Sequence, residues 1–509
     1  MHNDINHKNV IIIPFHIKSV LLYHSLSKKG INVLNFWDND KQLNGKNYCG
    51  IGISNPVSCC KQNEEALIII FYKKFEIEIS KQLSILGYTN LISAHSLNID
   101  GIEDYYDCLN DTDLYKINPK YERFLYIENK QYSLHTMPTS ELVKKILEMG
   151  KSKKIKKARI ILLFSHELSI TGAPIALYYV SRAIEVNGDI PIICCKNNGP
   201  LVRIIQKKKI SVLVDYKLIE SRLFTDIVSL SDVIIINTLS YQSINVIEAL
   251  IEKHVPIVWW IHEGRMGYTD KLIKRIPQPL SENIHTYCVS NYSRKSLLDV
   301  MPDLTIDVLT FGIENFYGKR KEYNNDKFIF MSIGTIGYIK GQDILCEAIR
   351  KLDKETRQKC KFVFVGKSLD FNNVYSDVLA TKKKYPTNVS IIGEVEYDKI
   401  GELLSMCDCM VCASRDDQMP MFISEAMMFK KICICSENTG FVDIIIDGVN
   451  GFIFKNNNAD ELCNKIEYVI KNPFKLATMK KKSREAFDNY FKFSVFEKNL
   501  YKIINLIIK

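Results

Sequence analysis

Apolar and polar positions alternate along the chain in a repeated order of short apolar runs and longer amphipathic stretches. Runs rich in Val and Ile, such as Val10–Ile13 and Ile257–Ile261, are typical of strands buried on both faces of a parallel sheet. Stretches with helical spacing, such as Ser19–Lys29 and Ile175–Val186, separate these runs. Strands that alternate with helices pair in parallel through right-handed crossovers, so the pattern predicts an α/β fold with Rossmann-like sheets.

This alternation falls into three segments. For 509 residues, at roughly 100–200 residues per domain, about three domains are expected. We place a first domain at residues 1–130, a basic linker helix at 131–158, a second domain at 159–315 and a third at 316–509. The strands predicted for the last two domains are Arg159–Phe164, Ile190–Cys195, Val212–Val214, Val233–Ile236, Ile257–Ile261, Tyr287–Val289, Phe328–Ile333, Lys361–Val365, Val389–Ile392, Cys409–Val411 and Ile432–Cys435.

The first domain has the order of a dinucleotide-binding domain but lacks its phosphate loop. The predicted second strand, Asn32–Trp37, ends at Asp38, as in such domains. The turn Pro14–Ser19 contains no glycine, although a phosphate loop needs glycines so that the backbone can approach a pyrophosphate. We therefore expect a degenerate Rossmann-like domain with a docking or scaffolding role. Retained binding of NAD or a nucleotide is the alternative.

A lysine-rich stretch follows the first domain. Ser140–Lys157 has helical spacing and becomes dense in lysine from Lys151 onward. Charge runs are usually solvated faces, so this stretch is interpreted as the linker helix. Contact with anionic lipid is the functional alternative.

The charge balance favours anionic partners. The formal net charge is +10, because 68 Lys and Arg stand against 58 Asp and Glu, and such an excess attracts phosphates, anionic membrane surfaces or nucleic acid. No helix-turn-helix, finger or RNA-binding signature is present, which argues against a nucleic-acid partner. The N-terminal stretch lacks the apolar region of a signal peptide, and no apolar run is long enough to cross a membrane, so a cytoplasmic protein is expected.

Cysteine usage predicts buried thiols rather than a disulfide or metal framework. Several of the 15 cysteines lie inside apolar runs, as Cys194 and Cys195 do. Cys409 and Cys412 have CxxC spacing, but no second Cys or His pair stands at zinc-site spacing. We therefore expect no metal site.

A lone carboxylate in an apolar stretch is the first candidate for chemistry. Glu425 follows Asp417 by eight positions and is surrounded by apolar residues. Burying a charge is costly unless a partner binds it, and a ligand is one such partner. Pro420 predicts a helix that begins near Met421. The free N–H groups of a helix start attract phosphate or sugar oxygens, so we expect Glu425 to lie one turn inside this helix and to face a ligand.

Further candidates follow the predicted strands. His262 comes directly after Ile257–Ile261, and Lys340 lies in a glycine-containing loop after Phe328–Ile333. Gly172 and Ala173 form a turn of small residues that lets the backbone come close to a ligand. Since ligands of open parallel sheets bind beyond the carboxyl ends of the strands, we expect these residues around one cleft between two facing sheets.

Residues 159–500 resemble glycosyltransferase family 4, which has the GT-B fold. The stretches that carry the resemblance are SHELSITGAP at 165–174, WWIHEG at 259–264, SIGTIGYIKGQDIL at 332–345 and the block at 414–454. That block has an acid, seven intervening residues, Glu425 and a DG-x-x-G close at Asp447–Gly451. The family pattern usually begins with Glu, where this chain has Asp417.

The resemblance implies a function. It implies an acceptor lobe at 159–315, and a nucleotide-sugar donor lobe at 316–509 whose last helix crosses back. It implies metal-independent transfer of a hexosyl-type sugar from a nucleotide-sugar, with retention of configuration and no cofactor. The acceptor would be a glycan or lipid-linked molecule in surface polysaccharide synthesis. Peripheral association with the cytoplasmic face of a membrane is left open.

The resemblance also implies residue roles. His262 would lie near the reacting centre, Lys340 would neutralise the leaving diphosphate, and Asp417 and Glu425 would lie near the donor sugar and the ribose. The residues expected to bind the donor are Gly172, Ala173, Lys340, Met419, Met421, Glu425 and Thr439.

A second position also departs from the family pattern. Thr335 stands where the family has an arginine, and Arg265 or Lys367 is a candidate for the missing charge. Thr335 and the degenerate first domain keep open an inactive nucleotide-binding scaffold. A GT-B nucleotide-sugar epimerase or phosphorylase is a further alternative, although we find no motif for the pyridoxal lysine that a phosphorylase needs.

Overall fold

The structure is a computed structural model in which the chain forms two compact units. The first unit comprises Met1–Arg123 and Ser133–Thr136, and the second comprises Phe124–Tyr132 and Met137–Lys509. The described residues are 9–15, 17–28, 30–39, 43–48, 50–59, 66–70, 76–93, 123–127, 129–134, 137–152, 158–316, 326–368 and 373–508.

The first unit contains a six-stranded sheet with apolar clusters on both faces. Val10 and Ile12 belong to one cluster and Ile11 and Ile13 to the other, which explains why this run is continuously apolar. The strands in spatial order are Asn47–Tyr48, Ile51–Ser54, Asn32–Trp37, Asn9–Ile13, Leu67–Ile70 and Leu91–Ser93, and the helices are Ile17–Lys28, Glu76–Ile85 and the short 3₁₀ turn Pro56–Cys59.

Asp38, which follows the strand Asn32–Trp37 of the first unit, accepts a hydrogen bond from the protein backbone. The Phe15 backbone N–H donates to Asp38 Oδ2 at 3.0 Å, and Ser19 Oγ donates to the carbonyl of Pro14 at 2.5 Å. Asp38 therefore fixes the glycine-free turn that follows the first strand.

The second unit begins with an antiparallel hairpin, part of which we had assigned to the first domain. We placed residues 1–130 in the first domain, but Phe124–Ile127 pairs antiparallel with Ser211–Val214 in a nine-stranded sheet. Its four side chains are buried, so the hairpin completes the apolar surface of this sheet. The sheet in spatial order is Ile306–Val308, Ile284–Cys288, Ile257–Ile261, Val233–Asn237, Ile160–Phe164, Ile190–Cys195, Ser211–Val214, Phe124–Ile127 and Lys130–Ser133.

The predicted linker helix is a docked element of the second unit. Thr139–Ser152 is helical, and its Leu142 and Ile146 side chains are buried. Ser211 Oγ lies 3.7 Å from the sulfur of Met149, which fixes the helix against the nine-stranded sheet. The lysine-rich residues 153–157 lie outside the described part of the chain.

The third sheet has six parallel strands and also belongs to the second unit. Its spatial order is Val389–Ile392, Cys360–Val365, Phe328–Ile333, Cys409–Cys412, Ile432–Ser436 and Phe452–Phe454. We call the part around the nine-stranded sheet the N-lobe and the part around this sheet the C-lobe. The α/β class with two Rossmann-like lobes and an additional N-terminal sheet is confirmed.

Helices cover the sheets of the second unit, and the last one returns to the N-lobe. Glu497 accepts a hydrogen bond from Asn187 at 2.8 Å, and Asn505 accepts one from Arg159 at 2.8 Å. The helices are Thr139–Ser152, Gly172–Val186, Leu201–Lys207, Arg222–Ser229, Tyr241–Leu250, Asp270–Ile273, Asn291–Leu298, Gln342–Lys351, Lys354–Gln358, Val374–Lys384, Ile400–Met406, Met421–Met428, Ala459–Lys471, Pro473–Tyr490 and Phe493–Ile507, with 3₁₀ turns at Leu218–Glu220, Arg265–Gly267, Tyr338–Lys340, Tyr397–Lys399 and Gly440–Asp443.

Two composition-based expectations can be compared with the described residues. Cys194, Cys195, Cys409 and Cys412 are buried free thiols, which confirms the interpretation of the apolar cysteine runs. Within the described ranges, no helix combines the length and the apolar character that crossing a membrane requires.

Candidate active site

A cavity of about 340 Å³ opens between the two lobes of the second unit. The N-lobe contributes the start of helix Gly172–Val186 and the turn before it. The C-lobe contributes the loops that follow four of its parallel strands and the start of helix Met421–Met428. The cavity therefore lies at the carboxyl ends of parallel strands, where open α/β sheets bind ligands.

The structure brings most of the predicted site residues into this cavity. Six of the nine line its wall, and these are Gly172, Lys340, Asp417, Met419, Met421 and Glu425. Ala173, His262 and Thr439 are not among the lining residues.

Lys340 and Asp417 form an ion pair in the cavity wall. Lys340 Nζ lies 2.6 Å from Asp417 Oδ2, and a third of the lysine side chain is exposed. Burial lowers the pKa of Lys340, but the attraction of Asp417 outweighs it, so the pKa is raised overall and the ammonium stays charged. Gly341 follows in a left-handed conformation with a φ of 65°, and a Cβ there would lie 2.0 Å from the Ala413 carbonyl oxygen. Glycine is therefore required to seat this loop.

The backbone of Asp417 is held by the neighbouring loop. Its N–H donates to the carbonyl of Asn438 at 3.1 Å, and its carbonyl accepts from the N–H of Gly440 at 3.0 Å. Thr439 lies between these two residues, but its side chain is fully buried and donates to the Ser436 carbonyl at 3.0 Å. Thr439 thus supports the loop that positions Asp417, and its predicted contact with phosphate stays a prediction.

Glu425 is a buried carboxyl group at the cavity wall. The helix begins at Met421 after Pro420, as predicted, and Glu425 is 3% exposed. Burial raises the pKa of the Glu425 carboxyl to about 7, against a smaller lowering by its hydrogen bond with Tyr397. The Tyr397 hydroxyl donates to Glu425 Oε1 at 2.9 Å. A carboxylate has about four acceptor positions, so Glu425 keeps capacity for further donors.

A second tyrosine, from the opposite lobe, lies near this carboxyl group. Tyr179, which lies on helix Gly172–Val186 of the N-lobe, is close enough to Tyr397 and Glu425 for both groups to affect the pKa of its hydroxyl, which burial raises. Tyr179 of the N-lobe and the bonded pair Tyr397 and Glu425 of the C-lobe therefore lie near each other. No sequence pattern predicted this proximity, because a tyrosine in a polar loop has no distinctive pattern.

Two helix starts contribute positive potential to the cavity. Gly172–Val186 begins after Thr171, and Met421–Met428 begins after Pro420, and neither preceding side chain caps the helix. Gly172 and Met421 both line the cavity. Since the first N–H groups of a helix lack intrahelical partners, both starts favour anionic ligand atoms.

His262 is not among the residues that line the cavity. It follows Ile257–Ile261 directly, as predicted, and its ring lies edge-on to Trp260 with centroids 4.3 Å apart. Burial, with a smaller contribution from His166, lowers the pKa of His262 to about 3, so the ring is neutral at pH 7. Among the described residues, its buried Nε2 has no hydrogen-bond partner.

Glu263 is a second carboxyl group with a raised pKa, but the protein itself binds one of its oxygens. Burial raises its pKa to about 7. Glu263 Oε2 accepts the backbone N–H groups of Leu239 at 2.5 Å and of His262 at 3.2 Å. Glu263 therefore orders the end of the strand that carries His262.

Asp416 is a structural residue that the sequence reasoning missed. It is 7% exposed, and its carboxylate accepts from the Met266 backbone N–H at 2.7 Å and from the Tyr292 hydroxyl at 3.1 Å. Both donors belong to the N-lobe, so Asp416 fixes the loop that carries Asp417 against that lobe. Its position next to Asp417 was the available signal.

The position of the missing family arginine is part of the cavity wall. Thr335 lines the cavity, and so does Lys367. Arg265 is not among the lining residues, and its guanidinium lies 4.0 Å from the carboxylate of Asp299. Of the two candidate cations, the structure therefore brings Lys367 to the site.

The fold of the second unit is that of the GT-B glycosyltransferases. A solved structure of HepE from Anabaena in complex with UDP and glucose has a TM-score of 0.59, is 17% identical, and covers 68% of this chain and 99% of its own. A solved glycosyltransferase from Rickettsia africae has a TM-score of 0.59, is 18% identical, and covers 70% of this chain and 100% of its own. At these identities the likeness shows a shared fold.

The sequence comparisons identify the family. Residues 157–309 match the family described as glycosyl-transferase family 4, and residues 315–487 match glycosyl transferases group 1. An uncharacterized glycosyltransferase of Methanocaldococcus jannaschii is 27% identical over 188 residues, which are 36% of this chain and 49% of that relative. The match thus spans about half the length of that relative. This chain belongs to glycosyltransferase family 4, which confirms the resemblance found in the sequence.

Proposed function

We propose that this chain is a retaining, metal-independent glycosyltransferase that moves a hexosyl-type sugar from a nucleotide-sugar donor to a glycan or lipid-linked acceptor. The observation that carries the proposal is the cavity itself. It combines the Lys340–Asp417 pair, the buried Glu425 and two uncapped helix starts. These features complement the diphosphate, the ribose and the sugar of such a donor.

The diphosphate is the most highly charged part of the donor. Lys340 and the starts of Gly172–Val186 and Met421–Met428 supply positive potential at one place. Such preorganised groups stabilise charge that develops on a leaving group, in the role that a divalent cation has in other transferases. The leaving phosphate then helps to deprotonate the acceptor, which attacks from the same face of the sugar.

The ribose is assigned to Glu425. Vicinal hydroxyl groups donate two hydrogen bonds, and a carboxylate accepts both. Tyr397 already fixes Oε1 of this carboxyl group, so its orientation is set before the ligand arrives. Preorganisation of this kind reduces the entropy cost of binding.

Asp417 and His262 are assigned to the reacting end. Asp417 faces the cavity while its ion pair with Lys340 holds it in place. The neutral His262, with an unpartnered Nε2 among the described residues, is able to accept or donate one hydrogen bond to a sugar hydroxyl. Its contact with the donor sugar stays a prediction, because His262 lies outside the cavity wall.

A related protein supports the class of donor. HepE of Anabaena, which shares the fold, was solved with UDP and glucose. We propose a nucleotide-sugar donor for this chain on that likeness and on the cavity. A role in surface polysaccharide synthesis at the cytoplasmic face of a membrane is proposed with it.

The proposal is tested with a thermal-shift panel of UDP-, GDP- and ADP-sugars, followed by a donor-hydrolysis assay. One donor is expected to stabilise the second unit by about 2.7 kcal/mol at 100 times its Kd. Glu425→Ala and Lys340→Ala are expected to lose both the shift and the turnover. The proposal is wrong if no nucleotide-sugar stabilises the protein, or if both variants turn the donor over at the wild-type rate.

A second candidate function is a nucleotide-binding scaffold without turnover. The neutral Thr335 in the cavity wall favours it, because a transferase needs enough positive charge at the leaving group. Donor binding without hydrolysis or transfer in the wild type would select this alternative.

A further inference from the structure

Lys340, the best-placed lysine of the cavity wall, already forms an ion pair with a neighbouring acidic residue. Lys340 lies 2.6 Å from Asp417, so much of its charge is matched before any ligand binds. Glu394 and Glu425 add two further acidic side chains to the wall. A diphosphate carries at least two negative charges at neutral pH, and one paired lysine is a weak partner for it.

Lys367 is the other cation among the described residues of this wall. Its side chain is exposed, and no carboxylate in the described part of the chain forms an ion pair with it. An exposed lysine without a partner is often only a solvated charge. What separates Lys367 from such a residue is the way in which its backbone is fixed at the cavity.

The loop of Lys367 is joined to the loop of Thr335 beyond the ends of their strands. Gly334 donates its N–H to the Val365 carbonyl at 2.9 Å, and Ile336 donates its N–H to the Lys367 carbonyl at 2.8 Å. The two loops therefore continue the parallel ladder to the edge of the cavity. Residue 367 is held directly beside residue 335.

A glycine makes this close approach feasible. Gly366 has a φ of 142°, and a Cβ at this position would lie 2.1 Å from the carbonyl oxygen of Gly334. Any other residue at 366 would push the two loops apart. Because glycine readily adopts this backbone conformation, Gly366 allows Lys367 to lie against the loop that leads to Lys340.

We propose that Lys367 is the second cation that binds the donor's diphosphate, in the place that the neutral Thr335 leaves without charge. This role depends on the function proposed above. A lysine suits it, because a flexible point charge can follow a phosphate oxygen from a fixed backbone position. Lys340 and Lys367 then bind the diphosphate from two neighbouring loops of the C-lobe.

The test compares diphosphate binding with nucleoside binding in the full chain. The probe is whichever of UDP, GDP and ADP binds the wild type most tightly, and the matching nucleoside is the reference. Lys367→Gln is expected to weaken diphosphate binding at least about tenfold, while nucleoside binding changes less than about twofold. It is also expected to flatten the salt dependence of diphosphate binding.

Two matched variants complete the experiment. Lys367→Arg keeps the charge and is expected to stay within about threefold of the wild type. Lys383→Gln removes an exposed lysine of the same lobe that does not line the cavity, and should leave both ligands unaffected. Thermal unfolding of each variant shows whether it is folded, so a loss of binding is assigned to the charge.

The outcomes separate this inference from the proposed function. If the wild type binds a nucleoside diphosphate and Lys367→Gln binds it equally well, Lys367 is a solvated lysine and the inference is wrong, while the proposed function stands. If the wild type binds none of the three diphosphates, the proposed function fails and the role of Lys367 fails with it.

Discussion

The first unit and the C-lobe both place an acidic side chain beyond a parallel strand, and the two side chains have different surroundings. In the first unit, Asp38 accepts the backbone N–H of Phe15 in a turn without glycine. In the C-lobe, Glu425 is buried at a cavity wall, accepts from the hydroxyl of Tyr397, and has a pKa raised by burial to about 7. A carboxylate that holds its own backbone stabilises a fold, whereas one that is buried with spare acceptor capacity is suited to a ligand.

The loops differ in the same way. Gly341 and Gly366 have positive φ angles and lie against neighbouring carbonyl oxygens, so the C-lobe loops approach each other closely beside the cavity. The turn after the first strand of the first unit has no glycine and is held by Ser19 and Asp38. The two regions therefore have a similar order of strands and helices but different loops. The C-lobe loops border a cavity, whereas the turn of the first unit is held by hydrogen bonds within the protein.

The largest expected effect comes from the paired lysine. Lys340→Ala removes the cation at the leaving group and leaves Asp417 without its partner, so we expect at least a roughly hundredfold loss of kcat in sugar transfer. Donor turnover measured at saturating donor checks this. Lys383→Ala is the matched control. A kcat within twofold of the wild type would show that Lys340 does not act on the leaving group.

The pH dependence of binding is the next largest effect. The pKa of Glu425 is about 7 in the ligand-free protein, and ribose hydroxyl groups stabilise its ionised form, so the complex has the lower pKa. Affinity for the nucleoside should therefore be highest above pH 7 and fall as the pH decreases below 7, by up to about tenfold per pH unit. Isothermal titrations of the nucleoside at a series of pH values from about 5.5 to about 8.5 measure this dependence.

The Glu425→Gln variant is the control for that titration. Its nucleoside affinity should not vary over the same pH range, because the amide does not ionise. An equal pH dependence in wild type and variant would assign the titration to another group.

A glycine comparison sharpens the contrast between the loops. Gly366→Ala places a Cβ against the Gly334 carbonyl, so we expect a destabilisation of about 2 kcal/mol and weaker diphosphate binding. Gly393→Ala in the same lobe meets no atom within 4 Å and should change stability by less than about 0.5 kcal/mol. Chemical denaturation measures the free energy of unfolding of both variants. Equal losses of stability would contradict the conclusion that the close approach of the two loops requires glycine at 366.

The smallest expected effect is in the first unit. Asp38→Asn weakens the hydrogen bond from Phe15, which should cost about 1 kcal/mol of stability and leave nucleotide affinity unchanged. Denaturation and nucleotide titration of the same variant measure the two quantities. A loss of nucleotide affinity would break the comparison, because the first unit would then contribute to ligand binding.

The sequence predicted the central strands because their signal is local. Ile190–Cys195, Ile257–Ile261 and Phe328–Ile333 are continuous apolar runs, and each is a strand with those bounds. Ile306–Val308 and Phe452–Phe454, each of three residues, were missed. The Phe124–Ile127 hairpin was assigned to the wrong domain because its partner strand lies far along the chain.

The sequence predicted part of the cavity wall from residue spacing along the chain. Lys340, Asp417 and Glu425 stand in distinctive local patterns, and the cavity contains all three. Asp416 was missed because its partners, Met266 and Tyr292, lie 150 and 124 residues away. Such contacts follow from how the lobes pack, and the only local signal for Asp416 was its position next to Asp417.

The most direct test of the central claim pairs the ribose with Glu425. Binding of the preferred nucleoside diphosphate and of its 2′,3′-dideoxy analogue is measured for the wild type and for Glu425→Gln. We expect the wild type to lose about tenfold or more in affinity without the two hydroxyl groups, and the variant to bind both ligands with nearly equal affinity. Equal affinity of the wild type for the two ligands would contradict the assignment of Glu425 and of the cavity to a nucleotide-sugar donor.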